Sequence, residues 1–165
     1  MPKIIPRKRH ILRKSQIQEL YSRLAGEIGA SAELFRDERL EIVETSGDVV
    51  MYLIGKKPLL LEYKGTLFPS LRGALERSFP ERRVTVDTGA VSYVINGADV
   101  MRPGVVAVTE DIREGGPVQI VEERHGKPIA LGIALMDAPE MREKTTGKVV
   151  KTFHYVGDDI WNIEF

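Results

Sequence analysis

From Val84 onward the apolar residues come only in short runs, and glycine, proline or charged residues separate them. The runs are Val84–Val86, Val105–Val108, Val118–Val121, Ile129–Leu135, Val149–Phe153 and Ile160–Ile163, with Pro103-Gly104 and Glu114-Gly115-Gly116 among the turns. Runs this short, rich in β-branched residues and regularly interrupted, fit strands rather than packed helices. Five or six in succession make the pattern of a small barrel. One helix interrupts them, Ala90–Ile95, closed by Asn96-Gly97, where glycine suits the left-handed position after a helix.

The first half has another texture. Ser15-Gln16-Ile17-Gln18 has the form of a capping box, in which side chains satisfy the amides that open a helix. Ile17, Leu20, Tyr21, Leu24 and Ile28 then recur at helical spacing, and Gly26 and Gly29 fit its end. Leu40–Val43, Val49–Ile54 and Leu59–Tyr63 read as strands, and Pro69 stands where a short helix through Leu71, Ala74, Leu75 and Phe79 can begin. The fold class expected is therefore α+β. A helix-on-sheet unit spans residues 1–80, and a pseudo-barrel of mixed short strands spans residues 81–165, joined by Glu81-Arg82-Arg83.

Bulk properties narrow the function. There is no cysteine, so neither disulfides nor thiolate chemistry are available. No apolar run approaches the ~20 residues of a membrane span, and no signal peptide opens the chain. A soluble, cytoplasmic monomer is expected, with no membrane partner. The formal net charge of zero conceals an asymmetry. Residues 1–80 carry a basic surplus and residues 81–165 an equal acidic one. Lys3, Arg7, Lys8, Arg9, Arg13 and Lys14 precede the first acidic residue. Such a segment is either a solvated arm or a phosphate-contacting one.

The most specific block is Asp87-Thr-Gly-Ala-Val-Ser-Tyr-Val-Ile-Asn-Gly-Ala-Asp-Val-Met-Arg-Pro-Gly-Val. Gly89-Ala90 and then Gly97-Ala98-Asp99-Val100-Met101-Arg102-Pro103-Gly104-Val105 closely resemble the opening of the PUA domain, an RNA-binding pseudo-barrel. Leu67-Phe68-Pro69-Ser70-Leu71-Arg72 resembles a segment of the domain that precedes PUA in the malignant T-cell-amplified sequence protein and ligatin translation factors, a family with shorter archaeal relatives. The resemblance implies a pre-PUA domain followed by PUA. It also implies a non-enzymatic initiation or recycling accessory factor that binds structured RNA, tRNA or rRNA, at the small ribosomal subunit and the tRNA acceptor end, alone or beside a translation factor. The RNA-binding residues it implies are Thr88, Gly89, Ala90, Gly97, Ala98, Arg102, Lys148 and Lys151. Small residues admit a nucleic-acid backbone closely, and exposed helix-start amides near Thr88 and Gly89 can donate to phosphate oxygens.

Other readings compete. A PUA protein can instead serve as the RNA-targeting subunit of a separate tRNA or rRNA modification enzyme. Val84–Ala90 also carries the Asp-Thr-Gly-Ala signature of dimeric aspartic proteases, with Asp87 as the catalytic residue. His10, His125 and His154 lie far apart, so no metal site is expected, and nothing suggests a cofactor. Lys144–Lys148 is a polar loop able to touch phosphate. Tyr93 and Met101, among apolar neighbours, read as core, and Trp161 as half core. The acidic surplus of the second half sits awkwardly with RNA. Glu110, Asp111, Glu114, Glu122, Glu123, Asp158 and Asp159 should therefore face away from it, or the basic segment should supply the cations, or binding of free RNA should be weak and need a larger ribonucleoprotein partner.

Overall fold

The computed structural model describes residues 3–165. These form two compact units, one running to Phe79 and taking in Asn162–Phe165, the other Pro80–Trp161.

The first unit is an antiparallel sheet in the order β1-β2-β3-β4-β5, made of Pro6–Ile11, Leu40–Thr45, Val49–Ile54, Lys57–Tyr63 and Thr66–Pro69. Helix α1, Lys14–Ile28, buries Ile17, Leu20, Tyr21, Leu24 and Ile28, the stripe its spacing foretold. It begins before Ser15, because the Gln16 carboxamide, one turn in, accepts the Arg13 amide at 2.8 Å. A 3₁₀ segment, Gly29–Phe35, follows, and then the short helix α2, Leu71–Glu76. Pro69 closes β5 instead of opening α2, whose cap is Ser70, its hydroxyl accepting from Gly73 N at 3.0 Å. Phe79 meets the rings of Phe35 and Phe68 edge-on, with centroids 6.1 and 5.6 Å away.

The basic segment is not a free arm. Arg7, Lys8 and Arg9 lie in β1, which pairs antiparallel with β2 while every one of its residues stays exposed. Backbone pairing satisfies the amides and carbonyls along β2, and Arg9 Nε stands 2.6 Å from Glu41 Oε2. The register slips between Pro6 and Lys8, leaving Arg7 as the extra residue of a bulge. Arg13 and Lys14 belong to the start of α1.

The second unit holds a mixed six-stranded sheet in the order β7-β11-β10-β9-β6-β8. In chain order its elements are β6 (Arg83–Val86), α3 (Thr88–Val94), β7 (Val100–Met101), β8 (Val105–Val108), β9 (Pro117–Glu122), β10 (Pro128–Ala134), α4 (Ala138–Glu143) and β11 (Lys148–Tyr155). β6 runs parallel to β9, and the other neighbours are antiparallel. Val84, Val86, Val94, Val100, Ile120, Ala130 and Val150 fill the core between sheet and helices. Ile160–Ile163 is not a strand but a run of turns. Asp158 is the cause: its carboxylate accepts the amides of Tyr155 and Trp161, each at 2.8 Å, and lies 3.0 Å from the buried His154 Nδ1. A side chain that takes local amides competes with a sheet ladder, and here it prevails.

Candidate nucleic-acid interface

The site is built where α3 leaves the sheet and the chain returns along Ala98–Gly104. Asp87 opens α3, its Oδ1 accepting from Ala90 N at 2.8 Å, while its own amide donates to Gly104 O at 2.9 Å. Two glycines let the segments close. Gly97 has φ of +91°, and any Cβ there would stand 2.8 Å from the Tyr155 ring. At Gly104 a Cβ would come within 2.9 Å of the Ala90 methyl. A larger residue at Gly104 would push the returning segment off α3, and one at Gly97 would be strained at its positive φ and crowd Tyr155.

The result is a cleft of about 430 Å³ walled by Gly89, Ala90, Val94, Ala98, Val100, Pro103 and Gly104, with Tyr93 and Met101 on it and Asp87 and Asp99 at its polar positions. Tyr93 is 70% exposed and Met101 47%, so neither is core. On a helix of seven residues only Val94 is buried, with Ala90 and Val91 packed beside it. The 90, 91, 94 spacing defines the inward face, and Tyr93 falls off it. An exposed ring over Gly and Ala walls is a platform on which an unstacked base can lie.

The implied RNA-binding residues part company here. Gly89, Ala90 and Ala98 line the cleft. Gly97 supports it from behind through Tyr155. The Thr88 amide is not open to phosphate, because it and the Thr88 hydroxyl donate to Glu123 Oε1 at 3.1 and 3.2 Å. Arg102 is no loose loop cation. Its guanidinium donates to Val105 O at 3.2 Å and Arg142 O at 3.1 Å, tying the returning loop to β8 and α4. Lys148 lies opposite Met101 in the sheet, its Nζ 3.0 Å from Asp99 Oδ2, and Lys151, further along the same strand β11, is exposed opposite Ile133. The sequence suggests core for Tyr93 and Met101 and a remote face for Glu123, whereas the structure puts the first two on the cleft beside Asp99 and Glu123 on the Thr88 amide.

The acidic surplus of this unit is largely spent on the fold. Asp111 accepts the Arg82 amide at 3.0 Å, Glu122 accepts those of His125 and Lys127 at 2.6 and 3.1 Å, and Asp158 holds the turn described above. Burial works against the Glu122 carboxylate, yet the amides it accepts hold it below the usual carboxylate range. Asp87 is likewise a helix cap, bound into a turn rather than presented from an apolar strand as half of a protease dyad. Among the described residues no group of three His, Cys, Asp or Glu side chains is placed to hold a metal ion, and no helix is long and apolar enough to cross a membrane.

A mixed sheet with α3 and its glycine-tight return defines the second unit as a PUA domain, an RNA-binding fold. Residues 82–156 match the PUA domain family, and residues 8–77 match a domain of unknown function, DUF1947, the pre-PUA domain. An uncharacterized protein of Methanocaldococcus jannaschii is 38% identical over 167 residues, 96% of this chain and 98% of its own. Translation machinery-associated protein 20 of Schizosaccharomyces pombe is 30% identical over 131 residues, 76% of this chain and 67% of its own. A hypothetical protein of the hyperthermophilic archaeon Pyrococcus horikoshii superimposes with a TM-score of 0.85 at 36% identity, covering 93% of this chain and 98% of that one. The chain belongs to the family in which a DUF1947 pre-PUA domain precedes a PUA domain, with translation machinery-associated protein 20 and the malignant T-cell-amplified sequence proteins among its members.

Proposed function

We propose that this protein binds RNA in translation, as a non-enzymatic cytoplasmic factor that engages the tRNA acceptor end at the small ribosomal subunit. The observation that carries the reading is the exposed Tyr93 ring beside an apolar cleft of about 430 Å³. Gly89, Ala90 and Ala98 let the RNA approach, Tyr93 and Met101 receive a base, and Lys148 and Lys151 face its phosphates. Gly97 and Arg102 shape the face instead of touching the ligand. The two carboxylates of the cleft are committed elsewhere, Asp87 to the Ala90 amide and Asp99 to Lys148, which favours binding alone. The names of relatives such as translation machinery-associated protein 20 support the translational setting.

The deciding experiment compares binding of deacylated tRNA with and without its single-stranded 3′ end, for wild type and Tyr93→Ala. Base–aromatic stacking is worth ~1–3 kcal/mol per base, so the substitution should weaken binding about tenfold or more while the folded state is unchanged. Equal binding by both proteins, or of both RNAs, would remove the α3 face from the acceptor end.

A further inference from the structure

The turn between β9 and β10 sorts its charges. It reads Glu122-Glu123-Arg124-His125-Gly126-Lys127, two acidic residues followed by basic ones. Glu122 Oε1 accepts the amides of His125 and Lys127 at 2.6 and 3.1 Å, and the chain reverses at Gly126, whose φ is +67°. Glu123 is tied to the start of α3. Its amide donates to Val86 O at 3.1 Å, and its carboxylate accepts the Thr88 amide and hydroxyl. Arg83 braces the turn from β6, its guanidinium donating to Gly126 O at 3.4 Å. Both carboxylates of the hairpin are thus bonded to amides, while Arg124, His125 and Lys127 stay exposed. Among the described residues no ion pair engages Arg124 or Lys127.

The residues lining the α3 cleft include no cation, so the phosphates of an RNA lying on it must be neutralised at its flanks. On the β7–β11 side Lys148 is already engaged by Asp99 at 3.0 Å. At the α3 start the hairpin offers cations on a turn whose backbone is fixed beforehand, which lowers the entropy lost on contact. We infer that this hairpin is a second RNA contact, in which Arg124 and Lys127 neutralise backbone phosphates of a structured RNA that also lies on the α3 face; this rests on the RNA-binding role proposed above. Such a contact fixes position and reads no base. The turn residues include no large apolar side chain, so the hairpin lacks the buried anchor that a protein partner would use.

The test measures affinity of the intact chain for deacylated tRNA over a series of salt concentrations. Wild type is compared with Arg124→Ala, Lys127→Ala, the double variant and Arg113→Ala. Arg113 is also exposed, but it stands at the opposite end of β10, where Gly115 N donates to Ala134 O at 2.8 Å, so it reports general attraction alone. Each hairpin substitution should flatten the slope of log K against log salt by ~0.7–0.9, and the pair by about 1.5, with the thermal midpoint unchanged. Arg113→Ala should leave the slope as it is. A wild-type slope in the hairpin variants, or equal flattening by Arg113→Ala, overturns the inference. If Tyr93→Ala still weakens binding in that case, the RNA-binding reading stands and an acidic protein becomes the better partner for the hairpin. Failure of wild type to bind tRNA at low salt overturns both.

Discussion

At the scale of single residues, the site turns on side chains whose sequence context misleads. Tyr93 stands among Val91, Val94 and Ile95, and that company suggests core, yet on a helix of seven residues one position of rotation separates burial from exposure. Arg102 reads as a free loop cation because nothing local pairs with it. Its partners are Val105 O, across the loop, and Arg142 O, forty residues on, and its Nε is buried. Arg102→Ala should therefore lower stability by ~1–3 kcal/mol, the cost of losing two hydrogen bonds from a charged group, seen as an earlier thermal midpoint. RNA affinity measured below that midpoint should change little. A large loss of affinity with an unchanged midpoint would return Arg102 to the binding face. The small residues of the cleft were legible from the beginning, because Gly89-Ala90 and Gly97-Ala98 sit in a motif whose spacing requires close approach.

At the scale of elements, strands with a buried face were readable and strands without one were not. β3 and β4 bury Met51, Leu53, Leu60 and Leu61, and their apolar runs announce them. β1 buries nothing, so Pro6–Ile11 shows no alternation and looks like an arm. The helix α4 was missed because six residues opening Ala138-Pro139 carry too little periodicity, although Ala138 and Met141 are buried. Ile160–Ile163 erred the other way, since strand-forming residues yield there to the turn built by Asp158. Because β1 is paired, its cations belong to a fixed ribbon, and deleting it would damage the sheet. The cleaner perturbation is Arg7→Ala with Lys8→Ala, both exposed. If the ribbon contacts RNA, the slope of log K against log salt should flatten by about 1.5, at ~0.7–0.9 per phosphate. An unchanged slope would exclude those two side chains from the complex. Arg9 is the wrong probe, being engaged by Glu41.

At the scale of the whole molecule, the two textures of the sequence correspond to two different ways of closing a core. The apolar stripe of α1 on a five-stranded antiparallel sheet serves the first, and a six-stranded mixed sheet folded about valines serves the second. What texture could not reveal is that Asn162–Phe165, the last residues in sequence, group with the first unit. The same unit holds two buried phenols. Burial pushes Tyr21 up to about 12, against an amide hydrogen bond from Asp37, and pushes Tyr52 up to about 12 with help from Glu62. A folded-state value above the unfolded one, near 10, means the stabilisation is complete below pH ~10 and is lost as pH rises toward 12. Denaturant melts between pH 9 and 12 should show the first unit losing up to ~2–3 kcal/mol per tyrosine. Tyr52→Phe should show a shallower fall, and an identical one would mean that Tyr52 does not titrate with unfolding.

The grip of Arg102 on Val105 has a bearing beyond this fold's own stability. β8 is the last strand of its sheet, and it reads Val-Val-Ala-Val, with Val106 more than half exposed. An apolar edge strand of that composition is the kind of border on which another chain can add a strand. Arg102 takes one carbonyl of β8 and α4 packs alongside it, and a border covered in this way is a poorer template for an added strand.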